Sequence, residues 1–311
     1  MTKALPKVSI GIAVWNGEAF LEKTLRSLLQ QDYQNIEIII LDNQSTDSTQ
    51  QICQELAALD SRVRYILDEK TRDVMSAQIK VAQIASGDFY MVACDDDWYE
   101  PSYISRLMNI IAQDPEIGIA YAGMGFIDEV DNKSASYPMQ FFKCSDKPHK
   151  NFKRYLTQRN PVPIIFGIVR KNLHLDALDF YRRPDGRGWD HDNLYVMRLL
   201  TQTRVEGAPE ILFYYRQQDR DLLYKKRNQY VSPQSPLAIY LNHALHQWAV
   251  TGAIKKIIDQ SPFSKSEKFF LRAYNYQVFL YFIRFKYLKE PIKNSATWKK
   301  IKSYLKSQVS S

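Results

Sequence analysis

Phe89-Tyr90-Met91-Val92-Ala93-Cys94-Asp95-Asp96-Asp97-Trp98 decides how this chain is read. Its first five residues form an apolar, β-prone run of the kind found in a parallel sheet covered on both faces. The run leads straight into three aspartates, whose mutual repulsion is costly unless a counter-charge compensates it. Strand and helix signals alternate on both sides of the segment. Before it, Val8 to Val14 and Ile36 to Leu41 predict strands, the second apolar except for Glu37, and Arg62 to Leu67 alternates as a third. Between them lie helical patterns. The first has Leu21, Leu25, Leu28 and Leu29 on its inner face with Asn16 as its N-cap. The second has Ile52, Leu56 and Leu59, capped by Ser45 or Thr46. The third has Val74, Ala77, Val81 and Ile84 and stops at Gly87. After the aspartates, Pro101 opens another helix and Ile117 to Ala122 gives a further strand. Alternation at this interval implies a doubly wound, mostly parallel α/β sheet flanked by helices, with right-handed crossovers.

From about residue 126 the signals thin out among Pro138, Pro148, Pro161 and Pro163. Strands are predicted again at Ile164 to Val169 and Ile211 to Tyr215, with a helix around Asp192 to Leu200. From Pro236 the pattern is helical nearly to the end, so a boundary falls between Arg220 and Ser235. The charge divides there as well. Of the net charge of +8, the residues from Lys225 onward carry 16 Lys and Arg against 3 Asp and Glu, which leaves −5 for those before it. A basic extension behind a slightly acidic body implies two regions with different jobs.

Cys53, Cys94 and Cys144 are too scattered for a disulfide framework or a zinc site, which points to a reducing compartment. Strand character begins almost at the first residue, leaving no room for a signal peptide, and no apolar run is long enough to span a bilayer. The expected location is the cytoplasm, including the inner face of the membrane.

In an open α/β sheet, ligands bind beyond the carboxyl ends of the strands, near the point where strand order reverses. The first strand ends in Trp15-Asn16, the second in Asp42-Asn43 and the fourth in Asp95-Asp96-Asp97. No Gly-x-Gly-x-x-Gly follows the first strand and no Gly-x-x-x-x-Gly-Lys occurs, which disfavours dinucleotide oxidoreductases and P-loop enzymes. Carboxylates at one rim suit Mg²⁺ or Mn²⁺, whose shell substrate phosphates would complete. An isolated Asp run more often caps a helix or forms a solvated turn. Its position after an apolar strand, with Trp98 and Pro101 following, favours the metal.

Four segments in order then resemble one family. Val8-Ser9-Ile10 through Trp15-Asn16-Gly17, Leu25-Arg26-Ser27-Leu28-Leu29-Gln30-Gln31, Glu37 through Asp47, and Ala85-Ser86-Gly87-Asp88 followed by Asp95-Asp96-Asp97-Trp98 are similar to inverting family 2 glycosyltransferases of the GT-A fold. The similarity is strong over about the first 125 residues and weak over 160 to 220. It implies a catalytic domain over 1–225, with a nucleotide-sugar half (1–125) and an acceptor half (126–225), and a helical extension over 226–311. The implied reaction moves a sugar from a nucleotide diphosphate, most commonly UDP, to an acceptor hydroxyl in cell-surface polysaccharide or glycolipid synthesis.

The resemblance also implies roles. Asp42 would bind the nucleotide base, beside the backbone of Ala13, Val14 and Trp15. Counting back from Pro101, Asp96 aligns with the metal ligand and Asp95 with the residue near the ribose, while Asp97 helps either one. Cys94 stands where the family commonly has an Asp, so the division of labour among the three stays open. The family places a base at a helix start with an Arg six positions on. Asp192 and Arg198 have that spacing, which makes Asp192 the expected base and Asp190 the runner-up. Gln218 replaces a His that often follows the last strand, leaving Arg216 or Arg220 as phosphate contacts, with Arg72 as another.

Two other readings remain at this point. A sugar-nucleotide nucleotidyltransferase would carry a glycine-rich basic loop after the first strand, where Trp15-Asn16-Gly17 stands instead. A catalytically silent sugar- or membrane-binding protein is the other. The extension places Phe269, Phe270, Tyr274, Tyr276 and Phe279 among Lys268, Arg272, Arg284, Lys286 and Lys289. This pattern suits either packing on the catalytic domain or peripheral contact with an anionic membrane that presents lipid-linked acceptors. No motif for nucleic acid is present.

Overall fold

A computed structural model describes residues 5–70, 74–134, 147–158, 162–181, 191–217 and 236–281. Arg72, Asp190, Gln218 and Arg220, and the boundary expected between Arg220 and Ser235, lie outside them.

One mixed sheet organises the described residues. Its strands are β1 (Val8–Val14), β2 (Ile36–Asp42), β3 (Val63–Leu67), β4 (Phe89–Ala93), β5 (Trp98–Tyr99), β6 (Ile117–Ile127), β7 (Lys133–Ser134), β8 (Ile168–Arg170) and β9 (Arg204–Arg216). The order is β3-β2-β1-β4-β8-β6-β9-β5, with β7 added to β6. The first four strands are parallel, as alternation predicted. Beyond β4 the sheet departs from the parallel pattern, because β8 runs antiparallel to both β4 and β6, and β5 antiparallel to β9. β2 and β3 leave β1 on one side and β4 joins it on the other, so strand order reverses at β1. That is where a ligand crevice opens in such a sheet.

Helices α1 (Leu21–Leu29), α2 (Thr49–Leu59), α3 (Val74–Ile84) and α4 (Tyr103–Gln113) follow the predicted periodicity. Two apolar cores form, one on each sheet face. Alternation along β1 sends Val8, Ile10, Ile12 and Val14 into one, where Leu21, Leu25 and Leu28 of α1 and Leu107 and Ile111 of α4 meet them. The other holds Val81 of α3, Tyr155 of α5 (Pro148–Gln158) and Leu199 of α8 (His191–Leu200).

Two short elements differ from expectation. Ile164 to Val169 divides into the end of α6 (Val162–Ile165) and the start of β8, with Gly167 between them against the Ala120 carbonyl. A Cβ there would lie 2.4 Å from that oxygen, so only glycine fits. Neither Ser45 nor Thr46 caps α2. The helix starts at Thr49, and Asp47 accepts from the Thr49 amide at 3.0 Å.

The remaining helices are α7 (Lys171–Tyr181), α9 (Pro236–Gln260) and α10 (Lys265–Tyr281). Val250, Ile254, Ile257 and Ile258 of α9 and Leu271 of α10 share the second core with α8. The basic extension therefore packs on the α/β body between Val250 and Leu271. Among the described residues, no helix is long and apolar enough to cross a membrane.

Candidate active site

The rim at the carboxyl ends of β1, β2 and β4 is assembled by contacts between distant loops. Asn16 adopts a left-handed backbone (φ 53°) just after β1, a conformation that Asn tolerates better than most residues. It does not cap α1. Its amide donates to Ser45 Oγ at 2.9 Å, and its side-chain oxygen accepts from the Thr46 amide at 2.8 Å. Ser45 and Thr46, which the sequence offered as caps, thereby stitch the β1 and β2 loops together.

Asp42 ends β2 opposite Val14 of β1 and is fully buried. Its Oδ1 accepts from the amide and hydroxyl of Ser45 at 2.8 and 2.6 Å, and its Oδ2 from Tyr65 Oη at 2.9 Å. A buried carboxylate with three donors in place holds the pocket floor and the 43–48 loop. Trp15, 63% exposed at the end of β1, is the open aromatic surface beside it.

Asp95, Asp96 and Asp97 follow β4 at the point of strand reversal. Burial and the charge of Asp96 push the Asp95 carboxyl up to about 6. Asp97 is fully buried, and burial followed by the Asp96 charge raises its carboxyl well above the usual range, although its Oδ1 accepts from the Arg216 amide at 3.0 Å. Its Oδ2 has no hydrogen-bond partner. Gly17 makes room for this turn, since a Cβ there would lie 2.6 Å from Asp95 Oδ2.

The turn is held from beneath by residues that sequence reasoning missed. Thr24 Oγ1 donates to the carbonyls of Asp95 and Asp97 at 3.1 and 2.8 Å. The signal was the pair of small hydroxyl residues, Thr24 and Ser27, among the leucines of the inner face of α1. Arg216, expected at the phosphates, is turned into the protein with its side chain wholly covered. Its Nε donates to the Asp96 carbonyl at 2.7 Å and its Nη1 pairs with Asp131 at 2.8 Å and donates to the Asp128 carbonyl. The guanidinium also lies 4.4 Å from the centre of the Phe20 ring. Arg216 thus fastens the acidic turn to the β6–β7 turn and to α1, and its burial replaces the expected phosphate contact.

Ligand atoms of Cys94, Asp96 and Asp97 lie within 4.8 Å of one another. The unpartnered buried Oδ2 of Asp97 and the unmet charge around it fit a hard divalent cation. Burial, then the charges of Asp97, Asp96 and Asp95, hold the Cys94 thiol well above its ordinary pKa, which makes it a poor ligand for such an ion.

Asp192 lies in the first turn of α8. Its charge is among those that raise the Cys94 thiol, after the nearer charges of Asp97, Asp96 and Asp95. The Arg198 that accompanied it in the sequence pattern instead grips Asp176 of α7 with Nε and Nη2, at 2.6 and 2.9 Å.

An acidic turn that can hold a cation, at the strand-reversal point of an α/β sheet, lies where such sheets bind ligands. The chain belongs to glycosyl transferase family 2, whose model matches residues 9–172. It is 32% identical over 107 residues to the glycosyltransferase GlyA of Streptococcus pneumoniae, covering 34% of this chain and 15% of that one. It is 26% identical over 170 residues to the GalNAc(5)-diNAcBac-PP-undecaprenol beta-1,3-glucosyltransferase of Campylobacter jejuni, covering 49% of this chain and 55% of that one. The chain therefore spans about half or less of the length of these curated relatives. The fold resembles residues 1–349 of S. aureus TarS in complex with UDP-GlcNAc, with a TM-score of 0.64 at 16% identity, over 94% of this chain and 77% of that one.

Proposed function

We propose that this glycosyltransferase transfers a sugar from a nucleotide diphosphate, with UDP as the nucleotide, to an acceptor hydroxyl with inversion at the anomeric carbon. The observation that carries the reading is the acidic turn at the strand-reversal point, where Cys94, Asp96 and Asp97 offer ligand atoms within 4.8 Å of one another and the buried Oδ2 of Asp97 has no hydrogen-bond partner. The solved complex of TarS with UDP-GlcNAc supports the choice of donor class.

In this reading the base lies along the end of β1 at Ala13 to Trp15, over the floor that Asp42 holds, and Asp95 meets the ribose. A Mn²⁺ or Mg²⁺ held by Asp96 and Asp97 would supply charge neutralisation to the departing diphosphate. Asp192 takes the proton of the acceptor hydroxyl as its oxygen bonds to the anomeric carbon and the bond to the diphosphate oxygen breaks, the electron pair leaving with the diphosphate. Arg216 keeps the acidic turn in place without touching substrate.

The acceptor belongs to cell-surface polysaccharide or glycolipid synthesis. The Campylobacter relative, named for an undecaprenol-linked saccharide, supports this. The site works at the cytoplasmic side, and the exposed Trp248 of α9 and Tyr276 of α10, with Lys255 and Arg272 beside them, suit peripheral contact with an anionic membrane. Screening a panel of nucleotide sugars for metal-dependent donor hydrolysis tests the assignment. Turnover of a UDP-sugar supports it, and no turnover of any donor with any divalent ion removes it.

A further inference from the structure

A groove of about 450 Å³ separates α5 from α10, on the opposite side of α10 from Trp248 and Tyr276. His149, Lys150 and Lys153 of α5 line one wall, and Phe270, Tyr274 and Gln277 of α10 the other. Its volume falls within the range of small-ligand sites, about 300–1,000 Å³.

Charge and ring placement select what it can hold. The sequence from Lys147 to Gln158 contains Lys147, Lys150, Lys153 and Arg154 and no acid. Among the described residues, the one acidic residue of the lining, Glu267, is already engaged. His149 Nδ1 lies 2.6 Å from its Oε1, and the Ser264 amide and hydroxyl both donate to its Oε2 at 2.8 Å. Lys153 sits 4.8 Å from the centre of the Tyr274 ring. These two links brace the walls, while Lys150 and Phe270, the latter 69% exposed, line the groove and stay open to solvent. A cationic wall opposite an open aromatic face suits a chain that alternates sugar rings with anions. The ring stacks on Phe270 and the anion meets the lysines. A flat bilayer is a poorer fit, because the basic and aromatic residues face one another across a cleft instead of lying on one face of a helix.

The groove is also joined to the site. Tyr155, five residues beyond Lys150 on α5 and about 8 Å further along the helix axis, donates to Asn193 Oδ1 at 3.2 Å. Asn193 adjoins Asp192 in the first turn of α8. One helix thus connects the groove with the element that carries the expected base.

We infer that the α5–α10 groove is an extended acceptor subsite that binds a phosphate-bearing saccharide chain at a distance from the reacting hydroxyl. The binding stands on the groove alone, and its role as an acceptor subsite rests on the proposed transfer reaction.

Calorimetry on the full chain tests it with three probes: a phosphorylated dextran oligosaccharide, its unphosphorylated parent, and phosphatidylcholine vesicles with or without phosphatidylglycerol. The phosphorylated chain should bind roughly tenfold or more tighter than its parent, and added salt should weaken it. The double variant Lys150→Glu with Lys153→Glu should lose about tenfold or more of that affinity, and Phe270→Ala a smaller share. The milder pair Lys150→Gln with Lys153→Gln guards against misfolding. UDP binding, titrated in the same samples, should not change. Equal affinity for both oligosaccharides, or binding indifferent to the three substitutions, overturns the inference. So does capture of anionic vesicles through these lysines while the oligosaccharide is ignored. If the oligosaccharide binds as expected but UDP does not, the groove stands and the transferase reading fails.

Discussion

The two rims of the parallel sheet treat acidic side chains in opposite ways. At the amino end, Glu37 interrupts the apolar run of β2, and the fold surrounds it with donors. Ser9 Oγ, the Ser86 amide, Ser86 Oγ and Lys7 Nζ reach its carboxylate at 2.5 to 3.1 Å. Burial works against its charge, but the hydrogen bonds outweigh it and bring the carboxyl down to about 2. At the carboxyl end, the half-buried Asp95 and the fully buried Asp97 are crowded against Asp96, and both are pushed upward. Charge satisfied within the fold serves stability. Charge left unmet at a strand-reversal point is available to a cation and a ligand, at a cost to the empty protein.

Breaking the unmet rim should have the largest effect. Asp192→Asn should lower transfer by about 100- to 10,000-fold in a steady-state assay, while UDP binding by calorimetry stays within a small factor of wild type. Retained turnover would reassign the base. Asp96→Ala should abolish transfer and, unlike the Asp192 change, remove the benefit of divalent ions for nucleotide binding.

Arg216 comes next. Arg216→Ala leaves the Asp96 and Asp128 carbonyls without their donor, while Asp131 keeps Lys23, so thermal unfolding should show a loss of about 1–3 kcal/mol. Arg216→Lys should recover part of that stability and little of the metal response, because an ammonium cannot span three acceptors at once.

The smallest effects sharpen the contrast, since the two rims should respond with opposite signs. Glu37 has its folded pKa lowered from 4.5 to about 2, so the stability it contributes is present above pH 4.5 and is lost as pH falls toward 2. Glu37→Gln should cost about 1–3 kcal/mol at pH 7 in urea unfolding, and the difference should shrink through that window. Asp95 has its folded pKa raised from 3.8 to about 6, so the metal-free protein loses stability as pH climbs from 3.8 through 6. Asp95→Asn should stabilise metal-free protein by about 1–2 kcal/mol at pH 7. A loss of stability in both variants would erase the distinction between the rims.

Much of this was legible in the sequence because the signals are local. Strand and helix periods and the position of the Asp run after an apolar strand place the first four parallel strands and the acidic rim. What could not be read depends on partners far along the chain. Ser45 and Thr46 look like helix caps until the left-handed Asn16, about 30 residues away, brings its own amide and side-chain oxygen to them. Arg216 looks like a phosphate ligand until the sheet seats it beneath Asp96, 120 residues earlier. Asp42 stands at the strand end the sequence pointed to, but its hydrogen bonds from Tyr65 and Ser45 show only in the folded chain. The apolar run from Ile164 to Val169 could not distinguish a strand from a helical turn by periodicity.

The most direct test of the central claim is a calorimetric titration of UDP with and without Mn²⁺, in wild type and Asp96→Ala. Mn²⁺ should tighten UDP binding to wild type by roughly tenfold or more and leave the variant unaffected. Equal affinity for UDP in wild type with and without the ion would contradict a rim built to share a cation with a diphosphate.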